Sequence, residues 1–495
     1  MKKIAITFAA VCLFASCNLD QVPPSDIAAD SYIKDDASLN NVVVGMYNGM
    51  YGVLENEWAV TELRTDNVRM RESGSSANDT KLIEELDQGT ISTSNNFLDD
   101  YWKACYKVIK RANTVLDNLD KAKDPALHNQ YEGEAFFLRS LVYFNLVRLW
   151  GPVFIMNSSE DYANARNLQR SPIEDVYSRI TDDLNKIING KLLPEKMASA
   201  QLGRAEMDAA KFLLAKVYMT ISKPGSADYA TATDLLSQVV ESRCKGDLIG
   251  YDKVFAVDNE MNAEIIFAIR YRAGNLGIGA PFSTLYGPLN NGGAVVVGSP
   301  KHYNYPSDNL IAEYEAGDLR KDVTLKESYV NKVGEIVDNP VQGRFCNKFI
   351  DYTMVTANDA ETDFPIIRAA DAMLLLAEAI SEVKGPDGEA LKLINAVRKR
   401  AGLPDLLLTD LSSRYAFRQA LRHERRIELA LENHHWYDLL RWGIATSTVN
   451  NFLSTEPLYS SYPHPVNPIE DWQCLLPIPT SVRNINPTVS QNPGY

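Results

Sequence analysis

Six histidines stand against 64 acidic residues in this chain, so acid–base or metal chemistry would have to rest mainly on carboxylates. The run His423-Glu424-Arg425-Arg426-Ile427 opens like the helix of a zinc protease, but Ile427 occupies the place of the second imidazole ligand. A catalytic zinc site needs roughly three protein ligands, and this pattern does not supply them. No Gly-x-Ser-x-Gly elbow occurs, and Gly277-Ile278-Gly279 meets Phe282 where a dinucleotide loop has its third glycine. No spacing singles out a carboxylate pair for sugar hydrolysis. The sequence names no catalytic residue, no metal site and no cofactor.

Carboxylates do gather on helical faces. Glu424 and Glu428 share one side of a predicted helix with Phe417, Leu421, Ile427 and Leu431, and Asp371 and Glu378 align with Leu374 and Leu375. Acids beside an apolar stripe need partners, and Arg368, Arg425, Arg426 and Arg441 offer charge-assisted bonds. The pattern reads as a paired network clamping helices rather than a catalytic dyad.

The thiol of Cys17 is the other reactive group. Lys2-Lys3, an apolar stretch from Ile4 to Phe14 and the small residues Ala15-Ser16 lead into it, the layout of an export signal whose cleavage leaves a cysteine to be acylated. Residues 1–16 are expected to be the signal peptide, and residues 17–36, with Val22-Pro23-Pro24-Ser25, the lipidated N-terminus and tether. Cys12 leaves with the signal. Cys105, Cys244, Cys346 and Cys474 have no metal-like spacing and read as unpaired thiols.

Helical periodicity dominates the elements that would position these groups. The band Phe136, Leu138, Leu141, Val142, Phe144, Leu146, Val147, Leu149 stops at Trp150-Gly151-Pro152. Other amphipathic stretches fall near 37–52, 98–122, 172–189, 203–221, 228–242, 366–383, 388–401 and 413–433. Two pairs, Ala209–Tyr218 with Tyr229–Leu236 and Met373–Ala379 with Glu389–Ile394, flank Gly- or Pro-bearing turns, the pattern of tetratricopeptide-type hairpins. Between them, residues 243–365 are richer in Gly, Tyr and Asn, with β-like pieces at Glu264–Ile269 and Ala294–Val297. The fold is therefore expected to be mainly α, with a loop-rich insertion.

A chain of 495 residues, 45% hydrophobic, can bury a large core. Its formal charge of −14 argues against nucleic acid and against an anionic lipid surface as partners.

Leu421-Arg422-His423-Glu424-Arg425-Arg426-Ile427-Glu428-Leu429, followed by Trp436-Tyr437-Asp438-Leu439-Leu440-Arg441-Trp442-Gly443, resembles the C-terminal hallmark of the SusD/RagB family. Phe137-Leu138-Arg139-Ser140, Arg368-Ala369-Ala370-Asp371, Ile394-Asn395-Ala396-Val397-Arg398 and the ending Gln491-Asn492-Pro493-Gly494-Tyr495 extend the likeness over nearly the whole chain, closest to the RagB branch. His435 departs from the family's usual arginine and puts a local salt bridge in question.

The resemblance implies a SusD-like domain over 37–495, anchored by lipid in the outer membrane and facing the cell exterior. Such proteins cap a SusC/RagA-like TonB-dependent barrel as a nutrient-capturing lid, in a dimer of transporter–lid pairs, and catalyse nothing. The RagB likeness points to oligopeptides as ligand, with glycan as the alternative; a surface hydrolase or a repeat scaffold is less favoured. The implied binding face combines the loop ahead of the Trp102 helix, with Arg69, Arg71, Asn95, Asn96, Asp99, Asp100 and Tyr101, and the insertion, with Tyr286, His302, Tyr303 and Tyr305. Asp99 and Asp100 would attract cationic peptides.

Overall fold

The computed structural model describes residues 32–70, 78–244, 246–338, 343–456 and 466–495. Cys17, the tether as far as residue 31, and Arg71 lie outside the described residues.

Successive helices pack on one another. Asp36–Val60 lies against Asn96–Asp117, which lies against Pro125–Trp150, and the series continues through Ile173–Gly190, Met207–Ile221 and Ala227–Arg243. Ala227–Arg243 then packs directly on Ala369–Lys384, which also contacts Gly388–Arg400 and Arg414–Glu428. The helical array thus runs on across the interval from 244 to 368, and the loop-rich segment is an insertion into an otherwise continuous repeat frame.

Caps explain several boundaries. Asp35 accepts from the Ser38 N–H at 2.8 Å in a capping box, and Asp124 accepts from the Ala126 N–H at 2.8 Å ahead of Pro125 in the first turn. The long helix Pro125–Trp150 is buried on almost every side and ends at Gly151, whose φ of 70° suits glycine. The C-terminal tail secures that end. Asn492 donates to the carbonyls of Trp150 and Leu476 at 3.0 and 2.7 Å, and the Trp150 indole donates to the Pro477 carbonyl at 2.8 Å.

The base of the insertion is a two-stranded antiparallel sheet. Ile265–Ile269 pairs with Phe364–Arg368, with Ile265 opposite Arg368, so the start and end of the insertion are drawn together. The first strand is the one expected from the sequence. The second replaces the expected helical start at 366, because Pro365 and the β-branched Ile366 and Ile367 favour extended backbone and the helix begins at Ala369. Ala294–Val297 is not a strand, since the Asn291 side chain accepts from the N–H groups of Val295 and Val296 at 3.0 and 3.3 Å and folds the segment into a turn. The helix expected to run to 433 stops at Glu428. Leu431 and Asn433 take left-handed φ values of 67° and 65°, a turn that leaves Glu432 bonded to Arg368 beside Glu428.

Candidate functional site

The hallmark segment forms a buried ionic framework. Arg368 donates to Glu428 at 2.6 Å and to Glu432 at 2.7 Å, Arg320 reaches Glu424 at 2.5 Å, and Arg425 joins Asp371 at 2.7 Å and Asp438 at 2.9 Å. Arg441 holds Glu378 on the facing helix. Burial by itself would raise the Glu428 pKa, but Arg400, Arg368 and Arg320 outweigh it and hold it at about 2. Each of these carboxylates is matched by guanidinium or ammonium, which is the clamping network the spacing suggests.

Arg426 carries that framework to the surface. Its Nε donates to the Asn67 side chain at 2.9 Å and its Nη2 to Asn309 at 2.7 Å, with Asp66 at 3.1 Å. His435 faces Asp66 with Nε2 2.7 Å from the carboxylate, so the position that departs from the family pattern keeps a hydrogen-bond partner there. Burial would raise the Asp66 pKa, yet Arg426 and His435 hold it at about 2. Ser307 completes the junction, its N–H donating to the Asn67 carbonyl at 3.0 Å and its hydroxyl to the Asp66 carbonyl at 2.6 Å. One arginine therefore ties the loop after the first long helix to Asn309, at the end of the 305–309 segment.

Immediately beyond this anchor the two regions expected to form a binding face do meet. Val68–Arg69 pairs antiparallel with Tyr305–Pro306. The Arg69 guanidinium lies 4.9 Å from the Tyr305 ring centre and its Nε is 2.9 Å from Glu456. Trp58 stacks on Tyr303 at 4.8 Å and 19°, and Phe97 meets both rings edge-on, at 5.8 Å from Trp58 and 6.5 Å from Tyr303. Phe97 and Tyr303 are partly exposed, whereas Trp58 is buried.

The other expected site residues divide by burial. Asn96 and Asp100 are exposed, and Asp99 is partly covered, with Lys103 at 2.6 Å and the Ser481 hydroxyl bonded to it. Asn95 is fully buried as the helix cap, accepting from the Phe97 N–H at 3.1 Å and donating to the Leu82 carbonyl at 2.8 Å. Tyr101 is buried against Trp150 and within hydrogen-bond reach of Glu57. Tyr286 stacks with Phe282 inside the core, Tyr305 is buried between Arg69 and Arg344, and the His302 ring is 2.5 Å from the Arg344 carbonyl.

Trp58, Phe97 and Glu55 were not singled out from the sequence. Phe97 left no signal in the spacing: it shares a helical stripe with the buried Tyr101, Ala104 and Val108, so its partial exposure at the helix start depends on what the neighbouring segments leave uncovered. Glu55 sits one turn before Trp58 as Asp100 sits one turn after Phe97, so carboxylates flank the aromatic cluster. Partial burial, then the charge of Asp100, raises the Glu55 pKa; partial burial, then Asp99, raises that of Asp100. Aromatic edges beside hydroxyl-accepting carboxylates and the Asn96 amide can take a polyhydroxylated ring, burying its C–H face and bonding its hydroxyls.

Comparison with known proteins places this architecture. Residues 321–495 match the profile described as "SusD family", and residues 18–219 match one described as "Starch-binding associating with outer membrane". SusD-like protein P2 of Formosa agariphila is 26% identical over the full length of both chains. The starch-binding protein SusD of Bacteroides thetaiotaomicron is 25% identical, over 78% of this chain and 76% of its own. A laminarin-binding SusD-like protein of known structure is similar with a TM-score of 0.78 at 26% identity, covering 93% of this chain and all of the other. Surface glycan-binding protein A of Bacteroides thetaiotaomicron, solved with laminarihexaose, shares the fold with a TM-score of 0.75 at 21% identity, over 92% and 99% of the two chains. With the hallmark network in place and a SusD-like fold throughout, the chain belongs to the SusD/RagB family.

Proposed function

We propose that this protein captures glycans at the cell surface, and that the partly exposed Phe97–Tyr303 edge, backed by Trp58, receives a sugar ring. That cluster is the observation carrying the proposal. Half-buried aromatic rings with polar flanks suit the amphipathic face of a sugar, burying its C–H side while the flanking groups bond its hydroxyls. Starch, laminarin and laminarihexaose in the relatives' names support glycan over the oligopeptide suggested by the RagB-like motifs. Glu55, Asp99 and Asp100 make the site acidic and favour neutral glucans over anionic ones.

The protein acts by binding, without chemistry of its own. Lipid on Cys17 holds it in the outer membrane facing outward, and it closes over a SusC-like TonB-dependent barrel, paired into a dimer of transporter–lid units. Calorimetric titration of the purified chain with neutral gluco-oligosaccharides, uronate oligosaccharides and a peptide pool tests the ligand class. Saturable binding of a neutral oligosaccharide is expected. Retention of peptides with no glycan bound overturns the glycan reading.

A further inference from the structure

A separate concavity of about 470 Å³ opens further along the Asn96–Asp117 helix. Its floor is aromatic. Trp102 lies 5.0 Å from Tyr106 and meets Phe154 edge-on at 6.0 Å, and the Tyr106 hydroxyl donates to the Phe154 carbonyl at 3.1 Å, fixing the ring. The opposite wall comes from the C-terminal helix Thr480–Ile485 through Val482 and Ile485, the latter 55% exposed despite its apolar side chain. A volume of this size lies in the range of small-molecule sites, roughly 300–1,000 Å³.

One rim is cationic. Lys103, Lys107 and Lys110, all exposed, follow one another at helical spacing along the edge. Lys103 is held by Asp99 at 2.6 Å, while the Lys110 ammonium rests 4.9 Å from the centre of the Tyr162 ring on the facing turn. Lys107 has no ion-pair partner among the described residues. Asp161, next to Tyr162, is occupied by the N–H groups of Asn157 and Ser158. On a chain of net charge −14, an apolar trough edged by lysines is a local reversal of sign.

We propose that this groove binds a small amphipathic carboxylate, with its acyl or aryl body along Trp102, Tyr106 and Phe154 and its carboxylate at Lys107 and Lys110. Apolar burial supplies affinity, and the ammonium groups select the anionic head. A neutral glycan gains nothing from the ammonium groups, so the lysine rim sets this groove apart from the acidic aromatic edge at Tyr303.

Displacement of the fluorescent probe anilinonaphthalene sulfonate from the full chain, by decanoate and by decanol, tests this. Decanoate should displace the probe at least tenfold more effectively than decanol. Lys107→Gln with Lys110→Gln should weaken decanoate about tenfold and leave decanol unchanged; Val482→Trp, which fills the groove, should abolish probe binding and spare oligosaccharide binding. Both lysines are exposed, so the double variant keeps the fold and the test stays readable even if the tryptophan disturbs its wall. Equal displacement by decanol and decanoate, an unchanged decanoate affinity in the lysine variant, or full probe binding by a folded Val482→Trp chain overturns the proposal.

Discussion

Glu57 lies beneath the aromatic cluster, buried, accepting from Asn145 at 3.0 Å, with the hydroxyls of Tyr101 and Tyr437 each 3.4 Å away. Burial raises its pKa to about 7, only partly offset by Arg148 and these hydroxyls. A carboxyl whose folded pKa exceeds its unfolded value binds more protons when folded, so stability falls as pH rises from about 4.5 to 7. Glu57→Gln should therefore gain on the wild type by about 2–3 kcal/mol between pH 5 and pH 8, read as melting temperatures at the two pH values. Parallel profiles for the two proteins would contradict a buried, protonated Glu57. Single residues were unevenly legible. Glu424, Glu428, Asp371 and Glu378 revealed their pairing because acids on an apolar stripe can be satisfied in few ways. Tyr286 and Tyr305 did not, since a tyrosine in a Gly- and Asn-rich segment looks the same in sequence whether it meets solvent or Phe282.

Among elements, most of the expected helices were readable because caps and periodicity are local, as at Asp35, Pro125 and Gly151, but the first long helix runs on from 52 to Val60, and Asn78–Asp87, His435–Arg441 and Ala445–Thr455 were not expected. What was hidden was non-local. Nothing near Val68–Arg69 in sequence announces its pairing with Tyr305–Pro306, and the strand Phe364–Arg368 depends on a partner almost one hundred residues away. The loops of the proposed binding face hang on Arg426, whose bonds to Asp66, Asn67 and Asn309 join both segments. Arg426→Ala should cost roughly 3 kcal/mol by leaving buried acceptors underpaired, and should also weaken oligosaccharide binding. Calorimetric melting beside a titration checks both; an unchanged affinity in a destabilised chain would confine Arg426 to stability. At acid pH the depressed carboxylates reverse the trend set by Glu57. Glu428 and Asp66, both held at about 2, contribute stability that is present above about pH 4 and lost as pH falls through 2, so circular dichroism should record unfolding across that window.

For the whole molecule, a continuous helical frame carries an insertion whose base is tied by Ile265–Ile269 and Phe364–Arg368, and whose loops converge on the end of the first long helix. A rigid frame with a polar, aromatic loop face is the build of a binding protein rather than of a machine that remodels itself. Attachment belongs to the proposed anchor: Cys17→Ala should release the protein from the outer membrane with its melting temperature intact, and normal retention in membrane fractions would remove the anchor. The central claim is that the Phe97–Tyr303 edge holds a sugar. Calorimetric titration of a neutral gluco-oligosaccharide into wild type and into Phe97→Ala with Tyr303→Ala tests it most directly. At least a tenfold loss of affinity, about 1.4 kcal/mol, in a variant still folded by circular dichroism is predicted, and equal affinities in the two proteins would contradict it.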